Sequence, residues 1–199
     1  FINCGLIGFI TSYLFLHGRP YFLVPVLLVM AGMFLFGYYC LQAWRQRLRR
    51  KLDEQMKISL LSVLLMLLPF IILLVITGWL LTGEQNTRLI TLYGFTVFFG
   101  WITTIILGMT FKTLPFIVWN KVYYEKTGSE KTPGPKELFN RKAFTATGLS
   151  YLAGFFLFIP GIYMGQTGLL NAATVLLLGA ALLYNFNVLK IVMHKSTGS

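Results

Sequence analysis

The chain has 199 residues, of which 56% are hydrophobic and only 12% charged, and its mean hydropathy is +0.72. A water-facing surface takes about a quarter of a domain's residues as charged groups, so this composition excludes an ordinary soluble domain. The net charge of +11 does not point to nucleic acid, because the basic residues cluster between apolar runs and line no groove-like face.

A hydrocarbon core of about 30 Å takes about 20 apolar residues in helix, and about six runs meet or approach that length. The first, 2–16, is short. The second, 21–44, has Pro20 beside its first turn, where a missing amide proton does little harm. The third, 58–81, carries no charge, and Pro69 within it predicts a kink. The remaining runs are 91–111, 143–159 and 169–189, with Pro115 expected to kink or end the helix just after the fourth. No strand alternation of useful length appears, and a backbone exposed to lipid must bond to itself, which favours helices. The expected class is all-α: one polytopic transmembrane bundle over residues 1–199.

The connections set an orientation. Arg45, Arg47, Arg49, Arg50, Lys51 and Lys57 fall after the second run; Lys121, Lys126, Lys131, Lys136, Arg141 and Lys142 fall after the fourth; Lys190 and Lys195 end the chain. The alternate connections hold only Arg19 and Arg88, and none lies in 160–168. With this number of spans the two groups alternate strictly, and the positive-inside rule puts both termini in the cytoplasm. Trp44, Trp79, Trp119, Tyr123 and Tyr124 sit near span ends, where amphipathic rings favour the headgroup layer. The segment 127–138, rich in Lys, Glu, Gly and Pro, reads as a water-exposed loop. The chain starts inside an apolar run without Met, which suggests the C-terminal part of a longer protein.

Catalytic chemistry is sparse. No His pair stands at helical spacing, no Cys pair at zinc spacing, and there is no Gly-rich phosphate loop. No residue is assigned as catalytic or as a metal ligand, and whether the chain is an enzyme stays open. Cys4 and Cys40 lie in apolar runs as packing residues. His17 and His194 fall at span ends on opposite sides; each is either a solvated interfacial residue or an axial haem ligand. The acidic residues all lie in connections, which tells against a carboxylate relay and hence against a transporter. Lys112 stands between apolar neighbours near the cytoplasmic boundary. It is either an interfacial anchor or a contact to a cofactor or lipid headgroup. Met30 and Met33 fit core filling better than copper handling. Recurrent glycines such as Gly100, Gly108, Gly148 and Gly154 let helices approach closely. Asn185 and Asn187 either bond across helices or mark the interface.

Three blocks carry a resemblance: residues 92–123, centred on Gly108-Met109-Thr110-Phe111-Lys112-Thr113-Leu114-Pro115; Lys131-Thr132-Pro133-Gly134-Pro135-Lys136-Glu137-Leu138-Phe139; and Asp53-Glu54-Gln55-Met56-Lys57. They resemble the C-terminal half of bacterial membrane proteins similar to haem-copper oxidase subunit I, over roughly residues 37–155. The resemblance implies a bacterial inner membrane, a longer parent whose haem or copper ligands precede Phe1, and redox or respiratory chemistry. In that family helices repeat a Gly, then a polar or basic residue, then Pro, and Gly108, Lys112 and Pro115 match one copy. That helix has no His here, so the chain departs from the catalytic pattern and does not hold a haem–copper centre alone. Its expected partners are the lipid bilayer and other membrane helices or subunits. The alternative is a non-catalytic structural or accessory subunit of a membrane complex.

Overall fold

The computed structural model describes residues 2–16, 21, 23–46, 54–82, 86–123 and 134–194. Expectations resting on His17, Arg19, the basic cluster 47–51, Tyr124 and the loop 127–133 lie outside the described residues. The long elements are all helices: α1 (Ile2–Thr11), α2 (Leu23–Arg45), α3 (Glu54–Leu65), α4 (Leu67–Thr82), α5 (Thr87–Phe95), α6 (Thr104–Tyr123), α7 (Arg141–Met164) and α8 (Thr167–Val192). α3 and α4 follow each other as one membrane-length helix, Gln55–Trp79. α5 runs through a π-helical stretch, Thr96–Thr103, into α6, giving one helix of 37 residues. Among the described residues five helices are long and apolar enough to cross a bilayer, and α1 is a shorter apolar helix continued by a π turn, Ser12–Leu16.

Two proline-based expectations and the end of the fifth run change in detail. Pro69 sits in the first turn of α4, after a turn at Met66, so its missing N–H marks where α3 ends at Leu65. Pro115 does not end its helix, which continues to Tyr123 and so passes well beyond 111. Pro160 likewise lies inside α7, moving the end of the fifth run from 159 to Met164. The connection expected over 160–168 shrinks to Gly165 and Gln166. Gly165 takes the left-handed conformation at φ 69° and donates its N–H to the Gly161 carbonyl. An L-residue there costs roughly 1–2 kcal/mol. Gly165→Ala should therefore lower the thermal midpoint by a few degrees without changing helix content, read by circular dichroism.

The chain forms two compact units. In the first (Phe1–Leu52 and Val63–Trp101), α1 lies on α2 and α5 lies on α4. Gly5 brings α1 so near α2 that an added Cβ would stand 2.9 Å from the Pro25 carbonyl and 2.7 Å from Val29 Cγ2. Ser12 Oγ donates to the Tyr21 carbonyl, and Phe36 packs near Trp101 with ring centroids 6.5 Å apart. Asn86 caps α5 by accepting from the Arg88 and Leu89 amides.

The second unit (Asp53–Ser62 and Ile102–Ser199) is built on an antiparallel hairpin of α7 and α8, with α6 and the start of α3 packed beside it. Gly154 of α7 fits under Leu177 and the Ala173 carbonyl, Gly161 fits under Leu170, and Ser150 Oγ donates to the Leu176 carbonyl. Small residues thus let the two backbones meet closely.

The partition of side chains is that of a helical membrane protein. Fully buried positions include Thr96, Thr104, Ser62 and Asn187, whereas Phe34, Phe98, Leu149, Leu178, Leu182 and Phe186 are exposed. Hydroxyls on the helices mostly bond back within their own helix, as Thr110 does to Ile106 and Thr147 to Ala143. No described buried side-chain nitrogen or oxygen lacks a partner. An interior that admits bonded hydroxyls and an amide among its apolar side chains, with large apolar side chains on the outer faces, is stable where the outer medium is hydrocarbon.

Candidate functional site

α6, which begins at Thr104, organises the second unit. Its buried stripe is Thr104, Gly108, Phe111 and Pro115, the three- and four-residue spacing of one helix face. Gly108 lets α3 approach to backbone contact: a Cβ there would meet Ser59 Oγ, and would lie 2.7 Å from the Ser59 nitrogen and 3.0 Å from the Gln55 carbonyl. One turn on, Lys112 Nζ points at Met56 Sδ, 3.1 Å away. The lysine itself is exposed.

Phe111, 1% exposed, forms the centre of an aromatic cluster. Phe144 of α7 and Tyr184 of α8 present their edges to it at 5.0 and 5.5 Å, and Phe139 lies 5.8 Å away. Such tilted and edge contacts suit the ring quadrupole. Tyr184 also donates to Thr110 Oγ1. Phe139 is brought in by the segment leading to α7, and that segment is anchored by Asn187. The Asn187 side chain accepts from the Asn140 amide at 2.8 Å and donates to the Asn140 carbonyl at 3.0 Å. Asn140 in turn caps α7 with its own side chain.

A small cleft lies between α3, α6 and α7, walled by Ile58, Leu107, Phe144 and Leu152. Its hydroxyl groups are already paired: Tyr151 bonds with Thr104 and Thr103, and Thr147 bonds back to Ala143. Toward the end of the unit, Tyr123 OH and His194 Nε2 are 2.9 Å apart.

Among the described residues, charge in this unit is confined to one end. No charged residue occurs between Ala143 and Leu189 or between Ile102 and Phe111. Lys121 is in the last turn of α6, Arg141 and Lys142 open α7, and Lys190 is in the last turn of α8. The Asn140–Asn187 and Tyr123–His194 contacts bring these three helix ends together. Lys57, in the first turns of α3, joins them through the Gln55–Gly108 and Met56–Lys112 contacts.

Of the expected site residues, Lys112 and His194 are held by different partners, and nothing brings them together. Met33 is buried in α2, which fits its core-filling role, and Cys4 and Cys40 are free thiols. Among the described residues no three His, Cys, Asp or Glu side chains converge on a point that could hold a metal. The described residues do not fit a haem–copper centre, because the His194 nitrogen faces a tyrosine hydroxyl and Lys112 a thioether. Sequence reasoning offered Asn187 as a residue that bonds across helices or marks the interface but did not find its partner Asn140, and it missed the Tyr151–Thr104 pairing. Asn140 directly before α7 was a legible cap signal; its partner 47 positions away was not. Comparison with protein-family models, curated proteins and solved structures finds no match to this chain.

Proposed function

We propose that this chain is the membrane-embedded scaffold of a protein like haem-copper oxidase subunit I, serving redox or respiratory chemistry with metal ligands supplied from outside these residues. The supporting observation is the placement of Gly108, Lys112 and Pro115, the residues that carry the resemblance. They stand on the α6 segment that α3, α7 and α8 pack around. A segment whose buried face meets three helices can position them while contributing no ligand itself. The accessory-subunit reading is favoured by one observation, the His194 ring nitrogen engaged by Tyr123 instead of facing an open site.

One measurement separates the two. The complete natural polypeptide, purified from membranes, should show a haem Soret band or bound copper on elemental analysis. Preparations free of both leave the accessory reading and remove the redox one.

We also propose a bacterial inner membrane with both termini in the cytoplasm. The confinement of Lys121, Arg141, Lys142 and Lys190 to one end of the second unit supports it, since cationic segments resist translocation. Single cysteines placed near Arg45 and near Lys131 should both be protected from an impermeant thiol reagent added outside spheroplasts. Labelling of one and not the other would overturn the orientation.

A further inference from the structure

Lys112 lies deeper along α6 than Lys121, the other cation of that helix. Lys121 is nine positions further along α6, which at 1.5 Å per residue places it about 13 Å beyond Lys112. Trp119, seven positions on and so on nearly the same helix face, packs near Tyr123 with ring centroids 6.2 Å apart. Indole and phenol rings of this kind settle in the headgroup layer. Lys112 therefore starts from the hydrocarbon side of that layer, and its extended stem reaches toward the layer's phosphates. Among the described residues its ammonium has one acceptor, the Met56 thioether at 3.1 Å. Thioether sulfur is a weak acceptor, and an ammonium carries three donors. The contact holds the charge in place against α3 and leaves most of its hydrogen-bonding capacity unused.

We propose that the exposed cations of the second unit bind the headgroup of an anionic phospholipid, with Lys112 as the inner contact to the phosphate. Lys57, Lys121, Arg141, Lys142 and Lys190 supply the surrounding positive field from the ends of four helices. Glu137 is the only acid of this unit whose side chain is described, and it lies in the turn before α7. A zwitterionic headgroup gains little from such a field, because its own ammonium is repelled. An anionic one gains from every cation within a Debye length. This inference is independent of the redox reading, since it invokes neither a cofactor nor a partner subunit.

The test uses the full chain reconstituted in vesicles of equal phosphatidylglycerol and phosphatidylcholine, extracted in a neutral detergent, with retained lipid counted by native mass spectrometry. Wild type should retain phosphatidylglycerol in preference to phosphatidylcholine, and the preference should fall as salt is raised. Lys112→Gln should lower phosphatidylglycerol retention about fivefold, the size expected for one cation at a charged surface. Lys112→Arg should preserve it, and Arg88→Gln, at the far end of the same continuous helix, should leave it unchanged. Circular dichroism checks that each variant is folded, and the salt titration of wild type decides the matter should Lys112→Gln not fold. Equal retention of both lipids, retention indifferent to salt, or full retention by folded Lys112→Gln overturns the proposal. Displacement of the lipid by millimolar inorganic phosphate also overturns it, because the site would then be one for a free anion.

Discussion

Gly108→Leu should lower the stability of the second unit by about 3 kcal/mol, at the upper end of the usual overpacking range. The reason is what the new side chain meets. Even its Cβ would fall 2.7 Å from the Ser59 nitrogen and 3.0 Å from the Gln55 carbonyl. These are backbone atoms of α3, held by that helix's own hydrogen bonds, so they cannot swing aside as a side-chain tip would. α3 and α6 must separate, and the Lys112–Met56 contact one turn away should be lost with them. Gly94→Ala provides the contrast. Nothing lies within 4 Å of a Cβ at Gly94, and replacing a mid-helix glycine by alanine gains up to about 1 kcal/mol. Thermal unfolding in detergent, followed by circular dichroism, should place the two variants on opposite sides of wild type. A Gly108→Leu protein as stable as wild type would show that α3 does not pack on α6 as described.

Asn187→Leu is the second large effect, about 1–3 kcal/mol. Leucine keeps the four side-chain heavy atoms and the Cγ branch of asparagine, so the change removes hydrogen bonding and adds some methyl bulk. Asn187 is fully buried, and its side chain closes a two-bond ring with the amide and carbonyl of Asn140. Removing it strands the Asn140 N–H, whereas the Asn140 carbonyl keeps the bond from the Phe144 N–H; a buried unsatisfied group costs about 1–3 kcal/mol. The segment carrying Phe139 should loosen, exposing the Phe111 cluster. Asn185→Leu should cost less than about 0.5 kcal/mol, as is usual for surface positions. Asn185 is exposed and donates only to the Ala181 carbonyl of its own helix. Hydrogen exchange at residues 134–140 reads the difference directly. Equal losses for the two asparagines would mean that the clasp contributes nothing particular.

These two asparagines show how far sequence reasoning reaches here. Both stand in the same apolar run, two positions apart, and local pattern treats them alike. One is fully buried because α8 presents it to the turn before α7, and the other faces outward. The glycines divide in the same way. Gly94 and Gly108 lie on one continuous helix, yet only Gly108 touches a neighbour. The prolines point the other way: Pro115 was read as kinking or ending its helix, and the fifth run was stopped at 159, just before Pro160. The apolar helices run on past them, because hydrocarbon offers the backbone no alternative partner and only one carbonyl is freed per proline.

The candidate site was partly legible. Lys112 stood out as a cation inside an apolar stretch, and that signal is local. Its meeting with Met56, 56 positions away, is not. His194 was visible only as a histidine at a span end, and its pairing with Tyr123 depends on how α6 and α8 end side by side.

What the amino-acid sequence determined by itself is the class of the molecule: apolar helices of bilayer length, their approximate number, and cations gathered in alternate connections. Those properties follow from the cost of exposing backbone and charge to hydrocarbon, which each segment meets on its own. Which hydroxyls, amides and glycines matter was decided only by tertiary structure. Inside a bilayer all helices are apolar on their outer faces, so hydrophobic patterning carries no address. Specific packing rests on a few small or polar side chains whose partners lie dozens of residues away.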